Sequence, residues 1–158
     1  MAEANIPLTK EGSEALHEEL RVLKSIERPK VIQSIADARA HGDLSENADY
    51  SAARERQGMI EARIAELEDK LSRSTVIDFT GQDGSSVKFG AFVTVIETDN
   101  GEEKRLRIVG DLEADIQRNK ISISSPLARA LMGKKTDDIV EVQAPRGVIE
   151  YTVGSISY

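Results

Sequence analysis

The stretch His41-Gly42-Asp43-Leu44-Ser45-Glu46-Asn47-Ala48-Asp49-Tyr50 lies between two long segments whose apolar residues recur with helical spacing. Both segments alternate steps of three and four residues, which is the pattern of a coiled-coil seam. The seam positions are Leu16, Leu20 and Leu23 before the stretch, and Ala53, Gln57, Ile60, Ile64, Leu67 and Leu71 after it. The two seams face each other when the chain folds back between Asp43 and Leu44. The sequence therefore predicts an antiparallel helical hairpin, roughly 40 Å long, whose far end carries acidic residues.

Local signals agree with this fold point. Gly42 suits the left-handed position that follows a helix, and Asp43 suits the N-cap of the next helix. At the start of the first helix, Thr9 is a good N-cap after Pro7-Leu8. Pro29 interrupts this helix, because proline lacks a backbone donor and clashes with the preceding turn. The sequence predicts a kink or joint at Ser25-Ile26-Glu27-Arg28, after which the seam resumes with Ile32, Ile35 or Ala36, and Arg39.

The pattern changes after Ser74 to period two and short apolar runs, which predicts strands. We expect a hairpin domain over residues 1–76 and a compact α+β domain with a mainly antiparallel sheet over residues 77–158. A helix should begin after Ser125 with Pro126 in its first turn and stop at Gly133. A further short helix is expected at Asp111–Ile116. The expected strands are Thr75–Phe79, Ser86–Phe89, Ala91–Thr98, Lys104–Val109, Ile121–Ser124, Ile139–Gln143 and Val148–Ser157.

Composition limits the classes of function. The chain has 158 residues and a net charge of -7, which divides into -4 for residues 1–75 and -3 for residues 76–158. Neither half is expected to bind nucleic acid on its own, because phosphate binding needs a local positive excess. Cysteine is absent, no apolar run is long enough to span a membrane, and the first residues show no secretion signal. We therefore expect a cytoplasmic protein with no membrane association.

The acidic residues of the turn can be interpreted in two ways. Asp43 and Glu46 have the Asp-x-x-Glu spacing of a capping box, in which both carboxylates serve the backbone of the second helix. Carboxylates held ionised at a helix N-terminus are also hard oxygen ligands for Mg²⁺. Two carboxylates are too few for a complete Mg²⁺ site, so they would have to complete a site whose other ligands lie on a partner. The spacing leaves both readings open, and Asp49 is either a further member of the group or a solvated acid.

Basic residues near the same end can also be interpreted in two ways. Arg39, Arg54 and Arg56 lie near this end, and the registry of the two seams predicts Arg39 and Arg54 within about one to two turns of the tip. They either form salt bridges along the helical pair, with Asp37 or Glu55 among the partners, or form a small phosphate-binding patch. His41 is interpreted as a loop residue, because neither a cysteine nor a second histidine accompanies it.

At these residues the chain resembles the bacterial transcript-cleavage factors of the Gre family, most closely its GreA branch. The resemblance covers essentially the whole chain. It is carried by Ala38–Tyr50 and Ala52–Glu55 in the first half, and by Ile108–Asp115 and Ile123–Lys134 in the second. It implies an antiparallel coiled coil followed by a domain similar to FKBP-type folds.

The resemblance also implies a mechanism. The second domain would dock at the rim of the secondary channel of RNA polymerase, and the coiled coil would bring Asp43 and Glu46 to the active centre. There they would help to hold a Mg²⁺ that belongs to the polymerase, so the factor would need no cofactor of its own. Arg39 and Arg54 match the family's basic patch, which contacts the 3′ segment of backtracked RNA. The factor would act as a monomer that activates the polymerase and would not itself be an enzyme.

Two other functions compete with this one. An inhibitory paralogue would enter the channel without stimulating cleavage, but here the Asp-x-x-Glu pair is intact and its turn is short, which favours cleavage. A peptidyl-prolyl isomerase or chaperone would need aromatic pocket walls, and the whole chain has three Phe, three Tyr and no Trp. That composition argues against an isomerase.

Overall fold

The computed structural model describes residues 5–42 and 47–158, which form a helical hairpin and a unit built on a five-stranded sheet. The predicted fold class is confirmed. The chain divides into two compact units, one of which is Ser13–Arg73. The other joins the segment that ends at Gly12 to Ser74–Tyr158.

The first half of the hairpin consists of two helices joined by a widened turn. Helix α1 spans Lys10–Val22, a π-helical turn covers Leu23–Glu27, and helix α2 spans Arg28–Ala40. Thr9 caps α1, because its Oγ1 accepts a hydrogen bond from the Gly12 amide at 3.0 Å. The predicted N-cap is therefore confirmed.

The π-helical turn is how the helix accommodates Pro29, which lies in the first turn of α2. The Arg28 amide donates to the carbonyl of Leu23, five residues earlier, so the turn holds one residue more than an α-helical turn. The predicted joint at this place is confirmed. The extra residue also shifts the seam, and the inward positions beyond the turn are Val31, Ile35 and Ala38.

This shift corrects part of the sequence analysis. Ile35 is buried as predicted, but Ile32 is 51% exposed and Arg39 is also exposed. Steps of four and three from Leu23 would reach Lys30, Ser34 and Asp37. The residue inserted by the π-helical turn moves each inward position one residue on, to Val31, Ile35 and Ala38. Ile32 and Arg39 lie one residue further, about 100° around the helix axis. Val31, only 2% exposed, takes the inward position that had been assigned to Ile32.

The second half of the hairpin is helix α3, Ala48–Ser72, whose buried residues are the predicted seam positions Ala53, Ile60, Ile64 and Leu67. Val31, Ile60 and Ile64 form a buried cluster, against which Leu20 and Leu23 pack. Among the described residues, four ion pairs cross the hairpin, and their midpoints along the chain fall between residues 41 and 46, around the predicted fold point. These pairs are Lys24–Glu68, Arg28–Glu61, Glu27–Arg56 and Glu19–Arg63.

The sheet unit begins with a short strand, β1 (Ile6–Leu8), that pairs in parallel with β2 (Ser74–Val76). The main sheet has the strand order β5-β4-β3-β7-β6 and is antiparallel except between β4 and β5. The prediction of a mainly antiparallel sheet is confirmed. Its strands are β3 (Phe92–Glu97), β4 (Glu103–Val109), β5 (Lys120–Ser122), β6 (Ile139–Ala144) and β7 (Gly147–Ser157).

Two predicted elements of this unit are wrong. Ser86–Phe89 is not a strand, because Val87 makes its two backbone hydrogen bonds with Lys134 and Gly133 and no ladder continues from them. The alternation of Val87 and Phe89 with polar residues reflects burial instead, since Val87 is fully buried in the core. The helix expected at Asp111–Ile116 is replaced by a turn and by a 3₁₀ helix at Ile116–Arg118, which Asp115 caps.

Helix α4 (Pro126–Leu131) is where the sequence placed it. The Ser125 hydroxyl accepts from the Ala128 amide at 3.2 Å, and Gly133 takes the left-handed conformation with φ 80°. Ala128 and Leu131 are fully buried and join the inward residues of the sheet in one core. This core holds the long loops of the unit in place.

Candidate functional site

The end of the hairpin is formed by the last turn of α2 and the first turn of α3. His41 follows α2 as its C-cap, and Gly42 has φ 117°, the left-handed conformation expected of it. The described chain resumes at Asn47. Asp43 and Glu46, the predicted site carboxylates, lie outside the described residues, and their role stays a prediction.

Asn47 connects the two helices at this end. Its side-chain oxygen accepts from the Tyr50 amide at 3.0 Å, and its amide nitrogen donates to the Ala38 carbonyl at 2.8 Å. Asn47 is therefore the N-cap of α3, and the prediction that Asp43 caps this helix is wrong. The sequence analysis missed Asn47, although asparagine is among the best N-cap residues and directly precedes the helical period.

Arg39 and Arg54 lie together on one face of the hairpin. They line a groove of about 260 Å³ with Ile32, Ile35, Ala36 and Gln57. The Arg39 guanidinium stacks on the Tyr50 ring at 5.9 Å from its centroid, and Arg54 donates to the Gln57 side chain at 3.0 Å. Within residues 5–42 and 47–158, neither arginine forms an ion pair. The described residues therefore give no support to the salt-bridge interpretation of these two arginines, and the phosphate-binding patch stays a prediction.

Arg56 behaves differently. It pairs with Glu27 at 2.8 Å and lines a second groove of about 400 Å³. Asp37, His41 and Asp49 also line this groove, so carboxylates and Arg56 share it. For Arg56 the salt-bridge reading is confirmed. The hairpin end therefore presents one basic groove and a second groove of mixed charge.

The described residues also bear on metal sites and membrane spans. Across the parts of the chain that the structure describes, no group of three or more His, Cys, Asp or Glu side chains is placed to hold a metal ion. No helix in the same parts is long and apolar enough to cross a membrane.

The sheet unit has an apolar groove of about 450 Å³ beside the loop that leads into α4. Leu106, Ile116, Pro126 and Leu127 line it, and Ile116 is 85% exposed. Among the described side chains that line the groove, Tyr151 is the one aromatic residue. This lining does not supply the aromatic walls that a peptidyl-prolyl isomerase would need.

Asp111 holds the loop beside this groove. Its carboxylate accepts from the hydroxyl groups of Ser122 and Ser124, the latter at 2.8 Å. These two hydrogen bonds, that of Ser122 foremost, lower the pKa of Asp111. The ionised carboxylate thus ties the end of β5 to the residues that lead to Ser125 and Pro126.

The two halves of the chain each match one sequence model. Residues 6–76 match the N-terminal domain of transcription elongation factors of the GreA/GreB type, and residues 82–158 match the GreA/GreB C-terminal domain. The chain belongs to the GreA/GreB family of transcription elongation factors. The resemblance noted in the sequence is confirmed.

Individual relatives agree with this GreA/GreB assignment. Transcription elongation factor GreA of Phenylobacterium zucineum is 54% identical over 97% of this chain and 98% of its own length. GreA of Trichlorobacter lovleyi is 56% identical over 98% of both chains. A solved structure of the transcription factor Gfh1 covers 100% of both chains with 28% identity and a TM-score of 0.48.

The two GreA relatives favour one of the competing functions. Both are named as elongation factors and are more than 50% identical across the chain. They support a transcription elongation and transcript-cleavage factor of the GreA/GreB family, and the inhibitory paralogue is not favoured. Such a factor is an accessory to transcription. Family members act on RNA polymerase during elongation.

Proposed function

We propose that this factor enters the secondary channel of RNA polymerase in the cytoplasm and stimulates the polymerase's own endonucleolytic cleavage of backtracked RNA. The hairpin, residues 1–76, would reach the active centre, and residues 77–158 would dock at the channel rim. One observation carries the proposal. Asn47 caps α3 and bonds to the end of α2, so the hairpin does not need Asp43 as its cap. With Asn47 as the cap of α3, the proposal assigns the Asp43 and Glu46 carboxylates to the Mg²⁺ of the polymerase.

Asp43 and Glu46 belong to the four residues that join Gly42 to Asn47. Their carboxylate oxygens are hard donors that suit Mg²⁺, which two such groups can share with ligands on the polymerase. The Mg²⁺ would come with the polymerase, and when bound it supplies electrostatic stabilisation of phosphoryl transfer and lowers the pKa of a bound water. On this factor, the two carboxylates would bind and orient, and no cofactor of its own is required.

The basic groove would hold the RNA. Arg39 and Arg54 have no carboxylate partner in the described part of the chain, and a guanidinium group binds phosphate through paired N–H donors. Tyr50 supports the Arg39 guanidinium from one side, which reduces the side-chain freedom lost on binding. The two arginines would therefore position the extruded 3′ segment of the RNA next to the tip carboxylates.

The apolar groove of the sheet unit supports docking on a protein surface. An exposed isoleucine such as Ile116 beside a concave apolar lining is typical of an interaction site. Asp111 fixes the loop that borders the groove. We propose that this surface meets the channel rim and that a single copy of the factor acts on one polymerase.

The tip is tested with halted, backtracked elongation complexes. Asp43→Ala and Glu46→Ala should each abolish RNA shortening while binding to polymerase stays nearly unchanged. Glu55→Gln, an exposed acid on α3, is the matched control and should cleave like the unchanged protein. Cleavage that persists in both tip variants would contradict the proposal. Loss of binding together with cleavage would show that the pair makes a docking contact instead.

The basic groove has its own test. Arg54→Ala should weaken crosslinking of the factor to the backtracked RNA more than it weakens binding to polymerase. Arg56→Ala removes an arginine of the same helix that is already paired with Glu27, so it should leave the RNA crosslink nearly unchanged. Equal crosslinking by both variants would mean that the groove does not contact the RNA.

A further inference from the structure

The outer face of the sheet carries a row of side chains that runs across four strands. Lys120 of β5 lies opposite Arg107 of β4, Arg107 opposite Phe92 of β3, and Phe92 opposite Ser157 of β7. Directly opposed residues project to the same face of a sheet. Two cations therefore stand on the same face as an aromatic ring, although the three residues are far apart in the sequence.

Two arginines lie over this ring. The guanidinium carbons of Arg105 and Arg107 each lie 4.6 Å from the centroid of Phe92, and that of Arg107 lies 5.8 Å from the centroid of Phe79. Stacking holds a guanidinium plane in place but leaves the N–H donors at its edge free for an acceptor. The ring thus preorganises the cations before any ligand arrives.

The two arginines differ in what else they contact. Arg107 donates to the Gly90 carbonyl at 3.3 Å and pairs with Glu11 at 3.5 Å, so its donor groups are largely used within the protein. Arg105 is exposed, and its hydrogen bond in the described chain is a long one, 3.5 Å, to Ser157. Arg105 is therefore the stacked cation that can turn its donors outward.

A groove of about 270 Å³ lies along this row. We name it the arginine–phenylalanine groove, and it is lined by Phe92, Arg105, Arg107, Arg118, Asn119 and Lys120. In the described residues, two carboxylates pair with these cations: Glu11 with Arg107, and Asp115 with Arg118 at 3.6 Å. Four cations against two carboxylates make a local positive excess in a protein whose net charge is -7.

We propose that the arginine–phenylalanine groove is a second nucleic-acid site, which binds the phosphate backbone of single-stranded RNA or DNA. Guanidinium edges bind phosphate oxygens, and a guanidinium plane supported by a ring offers a flat surface on which a base can stack. The side-chain amide of Asn119 adds a donor and an acceptor at the edge of the groove. This site is separate from the Arg39 and Arg54 groove, and it does not depend on the proposed tip chemistry.

The test measures binding of full-length protein to fluorescent oligonucleotides of one sequence, as single-stranded RNA and as single-stranded DNA, over a series of salt concentrations. All proteins carry Arg39→Ala and Arg54→Ala, which removes the proposed contacts of the hairpin. Arg105→Ala with Arg118→Ala removes two exposed cations of the groove. The matched control, Lys134→Ala with Lys135→Ala, removes two cations elsewhere on the same unit and changes the net charge equally.

The groove variant should bind roughly fivefold more weakly or worse, and its log–log salt slope should be shallower by roughly 1.4, because each lost phosphate contact contributes about 0.7 for single strands. The control should change affinity less than about twofold. Loss for RNA alone, for DNA alone or for both identifies the strand that the groove takes. Equal loss in the groove and control variants would be a general charge effect and would overturn the proposal, as would no loss in either.

Two further measurements exclude a structural role and a protein ligand. Phe92→Leu keeps every charge but removes the ring, so it should weaken binding while the salt slope stays unchanged. If this variant binds nucleic acid like its parent, the ring does not organise the site and the proposal fails. Polyglutamate should compete less well than an oligonucleotide of equal charge. Equal competition would mean that the groove recognises an acidic polypeptide instead.

Discussion

Replacing Val31 with alanine should destabilise the hairpin far more than replacing its neighbour Ile32, although isoleucine is the larger side chain. Val31 is 2% exposed and belongs to the buried cluster with Ile60 and Ile64. Ile32 is 51% exposed. A seam that resumed at Ile32, as the sequence predicts, would give the opposite order. The pair of variants thus tests whether Val31 or Ile32 is the inward residue after the π-helical turn.

The magnitudes follow from burial. Val31→Ala removes two methyl groups from a packed site, which costs about 1.6 kcal/mol in transfer free energy plus a cavity term, or roughly 2–3 kcal/mol. The higher helix propensity of alanine offsets about 0.5 kcal/mol of this loss. Ile32→Ala removes three carbons, but half of the side chain is already in water. The higher helix propensity of alanine offsets about 0.4 kcal/mol of the remaining loss. We therefore expect less than about 1 kcal/mol for Ile32→Ala.

Urea denaturation followed by far-UV circular dichroism measures both free energies, because helices dominate this signal and most of them belong to the hairpin. Hydrogen exchange of the α2 amides gives a second, local measurement of the same change. Equal destabilisation by the two variants, or a greater effect of Ile32→Ala, would refute the shifted seam.

The remaining predictions concern glycines and pH. Gly58→Ala in α3 should raise the free energy of unfolding by ~0.5–1 kcal/mol, because the added methyl meets no heavy atom within 4 Å and alanine is the better helix former. Gly12→Ala in α1 should lower it, because its methyl would displace the Glu113 carboxylate, which accepts from the Thr9 and Gly110 amides at 3.0 Å. Denaturation of both variants checks this, and effects of the same sign would contradict it. Glu19 accepts two hydrogen bonds from the Arg63 side chain, at 2.5 and 3.0 Å, and these lower the pKa of Glu19. The stability that this pair contributes is therefore present above pH 4.5 and is lost as the pH falls through the lower pKa of the native state. Glu19→Gln should therefore lose less stability on acidification, and an identical acid profile in denaturation experiments would count against the pairing.

Much of the fold could be predicted because its signals are local or periodic. The two seams and their fold point follow from spacing alone, since a helix repeats its faces every few residues. Ser125 and Pro126 begin α4, and Thr9 caps α1, through contacts within three residues. Such contacts depend on backbone geometry that a short peptide already contains, so the sequence by itself determined them.

The candidate site could be predicted only in part. Arg39 and Arg54 were identified from their distance to the fold point, and the structure brings them to one groove. The cap of α3 was assigned to Asp43, although Asn47 is chemically as suitable. The choice between them depends on where α3 must begin so that its buried residues meet those of α2. That is a property of the packed pair and not of either segment.

Two features were decided only by tertiary structure. Pro29 requires an irregular helix, which can either kink or widen. The opposite helix decides between these, and hence whether Val31 or Ile32 points inward, because it sets which side chains can pack. The arginine–phenylalanine groove depends on strand register, which brings Lys120, Arg107 and Phe92 into one row. The sequence determined the periods and the caps because these are short-range. The inward residue beyond the proline and the row of cations required the assembled structure, because only contacts between distant segments distinguish one register from the next.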